Sequence, residues 1–307
     1  MHSVNLSFLL SFVIIALGYL AKRTRIVQES DGDGISRIVF NFTLPATVIT
    51  AFSNIQIDKA LFAMPFINIV YCTIMLVLSF VIYRKQPRKE KGMLTMQFAA
   101  FNVGLFAYPL VESVWGNDGL KYFGMFDMGN SLMVFCVSYV IACVYANGHA
   151  KVDYKVLLRK VFSSIPFLAY IITLVLSVLH VSYPPFFLTL CKTIAKANMP
   201  LSLLLLGLFL SFSFESKHWR RMFQMLAIRY SIGITVGVIL YMVLPFDKMF
   251  RVTLLLAFCL PISLAVVPYA VECGYDKKFV GTVNNASIII SFFLMWVGVL
   301  LVQNGLI

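Results

Sequence analysis

The strongest constraint on this chain is a recurrence of apolar stretches about 20 residues long, each able to cross a hydrocarbon core of about 30 Å. A backbone that enters lipid must find partners for its N–H and C=O groups inside the protein, so stretches of this kind are read as helices. Ten are predicted, at 4–21, 35–54, 60–83, 93–113, 119–147, 161–180, 188–211, 222–244, 251–271 and 278–302. The loops between them are too short to hold a soluble domain. The expected fold is an all-α polytopic membrane protein, one integral membrane domain throughout. Composition agrees: 60% of the 307 residues are hydrophobic and 12% charged, against about 25% charged in a soluble globule.

The net charge of +12 would point to nucleic acid in a soluble chain. Here the basic residues gather in short loops between apolar spans, the pattern of orientation against a charged leaflet. Lys22, Arg23, Arg25 and Arg37 flank the first loop. Arg84 to Lys91, Lys151 to Lys160, Lys217 to Arg221, and Lys277 with Lys278 make four more groups. Together these hold 18 of the 25 Lys and Arg residues. They place five loops in the cytoplasm and both termini outside. The first segment has no basic leader and no small-x-small cleavage site, so it is expected to be retained as a helix. Six scattered cysteines form no close CxxC pair, and four histidines lie apart near span ends. Neither disulfide, metal nor resident cofactor is expected.

Five spans in each half mean that the second half enters from the opposite face, giving inverted repeats over 1–150 and 151–307. Internal matches support duplication. Pro45 falls 155 residues before Pro200, and Arg37 with Lys192 and Asn130 with Asn285 share that offset. Asn102 and Pro109 fall 159 residues before Pro261 and Pro268. Those last prolines lie inside apolar segments, where a proline removes a backbone hydrogen bond and clashes with the preceding turn. Matched broken helices in two halves of a membrane protein point to a central transport site.

The chemistry at such a break suits an anion. Freed N–H groups and a positive helix end hold a carboxylate, while freed carbonyls hold a cation. Asn102 is a candidate ligand through its amide, or equally the cap of the half-helix that follows it. Gly104 allows close helix crossing, and Pro109, Pro261 and Pro268 shape the breaks. Lys196, in a polar stretch just before Pro200, is preferred over Arg229 as the cation facing a carboxylate, although either side chain can snorkel. Asn198, Asn284 and Asn285 are further buried polar candidates. Asp127 is the one acidic residue well inside a span and the first candidate for a coupling proton. Its bland alternative is a buried group bonded to Asn130. Glu112 is the second coupling candidate.

Phe101-Asn102-Val103-Gly104 through Tyr108-Pro109-Leu110, followed by Trp115-Gly116-Asn117-Asp118, resembles the fourth-helix motif of the auxin efflux carrier family. Leu260-Pro261-Ile262-Ser263 with Glu272-Cys273-Gly274 resembles its ninth-helix motif, and Phe42-Thr43-Leu44-Pro45-Ala46 its second-helix signature. The resemblance covers nearly the whole chain in order. It implies ten helices in two inverted five-helix repeats, with helices 4 and 9 broken and crossing near the membrane centre. It also implies organic-anion substrates, as in bacterial permeases assigned to malonate. The long cytoplasmic loop of many plant members is missing, which favours a compact carrier of the bacterial inner membrane.

The expected function is secondary active transport of small mono- or dicarboxylates by alternating access, coupled to protons. Sodium coupling is the alternative, as is a channel or uniporter of the same fold. No convergent acid, base or nucleophile cluster suggests an enzyme, and no GxxxxGK[ST] loop suggests ATP use. The expected partners are a small organic anion and membrane lipid, with a homodimer compatible and nucleic acid excluded.

Overall fold

The structure, a computed structural model, describes residues 2–53, 59–146, 155, 159, 163–211 and 219–306. Most of the predicted junction between halves, at 148–160, lies outside those residues, as do Lys151, Lys160 and Lys217. Among the described residues the regular structure is helical, apart from one isolated antiparallel bridge between Phe101 and Ile262.

Fourteen α-helices are present among these residues. They are α1 (His2–Arg23), α2 (Asp31–Ile38), α3 (Leu44–Phe52), α4 (Lys59–Ile82), α5 (Arg88–Thr95), α6 (Tyr108–Leu132) and α7 (Tyr139–Ala146). There follow α8 (Ile165–Val178), α9 (Pro185–Ala195), α10 (Asn198–Phe209), α11 (Trp219–Val243), α12 (Lys248–Ala257), α13 (Val266–Glu272) and α14 (Lys277–Gln303). Wider π-helical turns at Val39–Thr43 and Met133–Ser138 join neighbouring helices into longer rods, and one at Val103–Ala107 leads into α6. Among the described residues six stretches are long and apolar enough to cross a membrane: Val4–Arg23, Asp31–Phe52, Ala60–Ile82, Val103–Ala146, Trp219–Val243 and Lys277–Gln303. The chain is thus an integral membrane protein, and its remaining apolar segments are shorter or interrupted.

The interruptions have local causes. Within Val103–Ala146, Gly116 adopts φ 57° and ψ −142°, folding the rod sharply between Trp115 and Asn117. That conformation is open to glycine and strained for other residues. Pro45 and Pro109 each stand in the first turn of a helix directly after a π-helical turn. At that position the missing N–H is best tolerated. Pro109 therefore does not mark the break, contrary to the sequence expectation. The gap in the first broken segment runs over 96–102, and Pro109 lies beyond it inside continuous helix. The second gap runs over 258–265 and contains Pro261, whereas Pro268 sits in the first turn of α13.

Two groups of helices pack around these breaks. In the first, α1 crosses α10 so closely that a Cβ on Gly18 would lie 2.2 Å from the Leu204 carbonyl oxygen. One on Gly207 would lie 2.0 Å from that of Ile15. Small residues permit such crossings in lipid, where van der Waals contact rather than hydrophobic exclusion holds helices together. The same group includes α3, packed on α8 and α9. The second group joins α4 to α6, α5 to α7, and α11 to α12. Gly129 of α6 lies against the Pro65 backbone of α4, and Gly233 of α11 lies against that of Phe258. Asp247 and Asp276 cap α12 and α14 by accepting the N–H groups of Phe250 and Phe279.

Candidate functional site

The two gaps meet. Phe101 and Ile262 pair as a single antiparallel bridge. The Asn102 N–H donates to the Pro261 carbonyl at 2.9 Å, and the Ser263 N–H to the Ala100 carbonyl at 3.2 Å. Two broken helices thus satisfy some of their exposed backbone groups on one another, as burial demands.

Side chains on later helices satisfy others. Asn130 of α6 accepts the Phe101 N–H at 3.0 Å and donates to the Phe101 carbonyl at 2.9 Å. Across the bridge, Ser287 of α14 accepts the Ile262 N–H at 3.0 Å. Asn284 donates to the carbonyls of Ile262 and Ser263 at 3.0 and 3.1 Å. Phe101 is therefore held by α6 and Ile262 by α14. A second contact has the same symmetry: the Thr43 hydroxyl donates to Asn198 Oδ1 at 3.0 Å, between residues 155 apart.

Beside the bridge lies a cavity of about 1510 Å³ between the two helix groups. Its mouth carries exposed Glu29, Asp33, Ser163, Lys277 and Lys278. Its floor is formed by buried Asn102, Asp127, Asn130, Asn284 and Asn285. Asn102 is 4% exposed, precedes the π-helical turn Val103–Ala107, and makes no capping hydrogen bond through its side chain. Its Nδ2 has no partner. The N–H groups of the first turn after it have no intrahelical acceptors, and Val103, Gly104 and Leu105 line the cavity. A buried amide donor with no partner among the described residues and a positive helix end thus lie beside one space. Gly104 also lets Leu44 approach, since a Cβ there would lie 2.9 Å from a Leu44 methyl.

Asp127 is 7% exposed and fully engaged. Its Oδ1 accepts from Asn130 Nδ2 at 2.9 Å, and its Oδ2 from the Tyr170 hydroxyl at 3.0 Å. Tyr170 is also bonded to the Tyr108 hydroxyl. The bond to Asn130 is the bland reading of Asp127, and it coexists with a place on the cavity floor. The structure puts Asp127 about three turns past the fold at Gly116, level with the break through its shared partner Asn130.

Asn102, Gly104, Asp127, Pro268, Asn284 and Asn285 share the cavity. The amide of Asn285 donates to the Ser211 carbonyl at 3.1 Å, tying α14 to the end of α10. Pro109, Pro261, Lys196, Asn198 and Glu112 do not line it. Lys196 is exposed at the end of α9. Asn198 is buried at the contact with Thr43, with its Nδ2 unpartnered. Glu112 is half-buried near the Gly116 fold, with Oε2 unpartnered. Sequence reasoning missed Tyr108, Tyr170, Ser263 and Ser287, and ranked Arg229 below Lys196. Ser287 carried a usable signal, being three residues after Asn284 and so on the same helical face. The tyrosines carried none, since aromatic residues in apolar spans are ordinary.

Comparison with known proteins adds to this geometry. The family model described as "Membrane transport protein" matches residues 6–300. An uncharacterized transporter of Methanothermobacter thermautotrophicus is 24% identical over 207 residues, 66% of this chain and 66% of that protein. An uncharacterized transporter of Methanocaldococcus jannaschii is 22% identical over 213 residues, 66% of this chain and 68% of that protein. The chain thus spans about two thirds of the length of the curated relatives it matches.

Proposed function

The chain belongs to the membrane transport protein family, and we propose that it is a secondary active carrier of small organic anions, with mono- and dicarboxylates such as malonate as substrates. The observation that carries this reading is the floor of the cavity. There the unpartnered Nδ2 of Asn102 and the first turn after it present donors and a positive helix end, with buried polar side chains around them. A carboxylate supplies the acceptors and the charge that such a place lacks.

The contacts between equivalent positions, Thr43 with Asn198 and Asn102 with Pro261, support two inverted five-helix repeats. Their shared axis passes between those pairs. The cavity mouth lies among the loops that the basic residues assign to the cytoplasm, so we read this conformation as open inward, in the bacterial inner membrane, with both termini outside. Alternating access then closes that mouth and opens a path on the Tyr108–Tyr170 side.

Proton coupling through Asp127 follows from its bonding. Tyr170 belongs to α8 of the first group, Asp127 and Tyr108 to α6 of the second. A proton on Asp127 removes the buried charge and weakens its demand for the Tyr170 hydroxyl, loosening a tie between the groups. The test is uptake into proteoliposomes across a panel of mono- and dicarboxylates, with proton and sodium gradients imposed separately. Proton-driven carboxylate uptake is expected. Uptake of no carboxylate under either gradient would refute the anion reading, and uptake driven by sodium alone would refute the coupling.

A further inference from the structure

The one guanidinium fully buried among the described residues is not in the cavity but directly behind its floor. Arg229 of α11 is 0% exposed. Its Nη1 donates to the carbonyls of Gln97 and Phe98 at 3.0 and 2.8 Å, and its Nη2 to that of Ala100 at 3.1 Å. Its plane lies over the Phe101 ring, 4.4 Å from the centroid. No carboxylate pairs with it among the described residues. A cation is costly inside a membrane protein unless something compensates it, and here the compensation comes from the carbonyl end of the first broken helix.

Those carbonyls are where a free cation would otherwise sit. A helix that stops in mid-protein leaves its last carbonyls unpaired and a negative end. At this crossover tethered donors take seven of the exposed carbonyls of the two breaks. Arg229 holds Gln97, Phe98 and Ala100, Asn130 holds Phe101, Asn102 holds Pro261, and Asn284 holds Ile262 and Ser263. Phe101, over whose ring the guanidinium lies, is itself among the residues lining the cavity. Neither Lys196 nor any other basic side chain lines the floor; the cavity's lysines, Lys277 and Lys278, stand at the mouth.

Resting on the carboxylate-carrier reading, we propose that Arg229 is the built-in counter-ion of the crossover, a positioning residue that occupies the carbonyl cage in place of a free cation and gives the floor its preference for anions. Two consequences follow. The carrier needs no sodium ion at the break. Removal of the guanidinium converts the cage into a vacant site for a small cation.

The decisive experiment uses purified wild type, Arg229→Ala, Arg229→Lys and Arg229→Met, with methylguanidinium, sodium or choline chloride at equal ionic strength. Thermal melting is read first, because it needs no substrate. Methylguanidinium is expected to raise the melting temperature of Arg229→Ala by at least about 2 °C over choline, and to leave wild type unchanged. Malonate uptake into proteoliposomes is read second, with methylguanidinium restoring the rate that Arg229→Ala loses. Equal melting of Arg229→Ala in all three salts overturns the proposal, as does wild-type uptake by Arg229→Met. Should Arg229→Ala not fold, Arg229→Lys is expected to melt near wild type and Arg229→Met well below it; equal melting of those two overturns the proposal. Cation-specific stabilisation with no malonate uptake by wild type would support the counter-ion while refuting malonate as substrate.

Discussion

Asn102 and Asn130 carry the same side chain, are both buried, and do opposite things. Asn130 spends its whole amide on Phe101 and Asp127, so it holds the break in shape. Asn102 leaves its Nδ2 without a partner among the described residues, and the proposed carrier function gives that donor to the carboxylate. Asn102→Ala is therefore expected to weaken carboxylate uptake about 10-fold or more, the worth of a hydrogen bond to a charged group at about 1.5–3 kcal/mol, with melting unchanged. Asn130→Ala is expected to lower stability, because it strands two buried backbone groups at about 1–3 kcal/mol each. Melting of the purified variants separates the two outcomes. Asp127→Asn keeps the shape and loses the titratable charge. Substrate exchange is expected to persist in it while pH-driven net flux falls to background. If an imposed pH gradient drives the variant as well as wild type, Asp127 does not carry the proton.

At the scale of elements, glycines set the joints for two different reasons. Gly116 has open space around its missing Cβ, so its requirement is conformational. Gly116→Ala is expected to cost about 1–3 kcal/mol in backbone strain alone. Gly207 has ordinary dihedrals but backbone of α1 where a Cβ would go. Gly207→Ala must force α1 and α10 apart, at about 1–3 kcal/mol or more. Gly34 has neither constraint, and Gly34→Ala is expected to fall within about 0.5 kcal/mol of wild type. Thermal melting of the three variants in one detergent orders them, and equal loss at Gly34 and Gly207 would refute the close crossing. The broken helices obey the same logic. Their gaps persist because specific partners, Asn130, Arg229, Asn284 and Ser287, replace the missing helical bonds.

At the scale of the molecule, the cavity between the two helix groups should be reachable from one face only in this conformation. Single cysteines at Lys277 and Asn102, in a background lacking the six natural cysteines, test this in cells. An impermeant thiol reagent is expected to reach both from the cytoplasmic side and neither from outside. Labelling at 84–91 from the outside alone would overturn the assigned orientation.

The class of this protein and its candidate polar residues are legible along the chain. Apolar length forces membrane-spanning helices, basic loops carry the orientation signal, and the polar residues Asn102, Asp127, Asn284 and Asn285 stood out because lipid-facing segments cannot hide them. Motifs read along the chain also pointed to the family. Only the tertiary structure decided which polar groups are spent and which are free. Lys196 and Arg229 are both cations in apolar spans, and sequence ranked them by the polarity of their neighbours in the chain. Their roles depend instead on neighbours about 130 residues away: Arg229 meets the carbonyls of Gln97, Phe98 and Ala100, whereas Lys196 meets the outer surface. The position of the gaps was hidden for a related reason. Prolines mark where a helix can break, but the break settles where long-range donors and acceptors replace its lost hydrogen bonds, and those partners come from the fold.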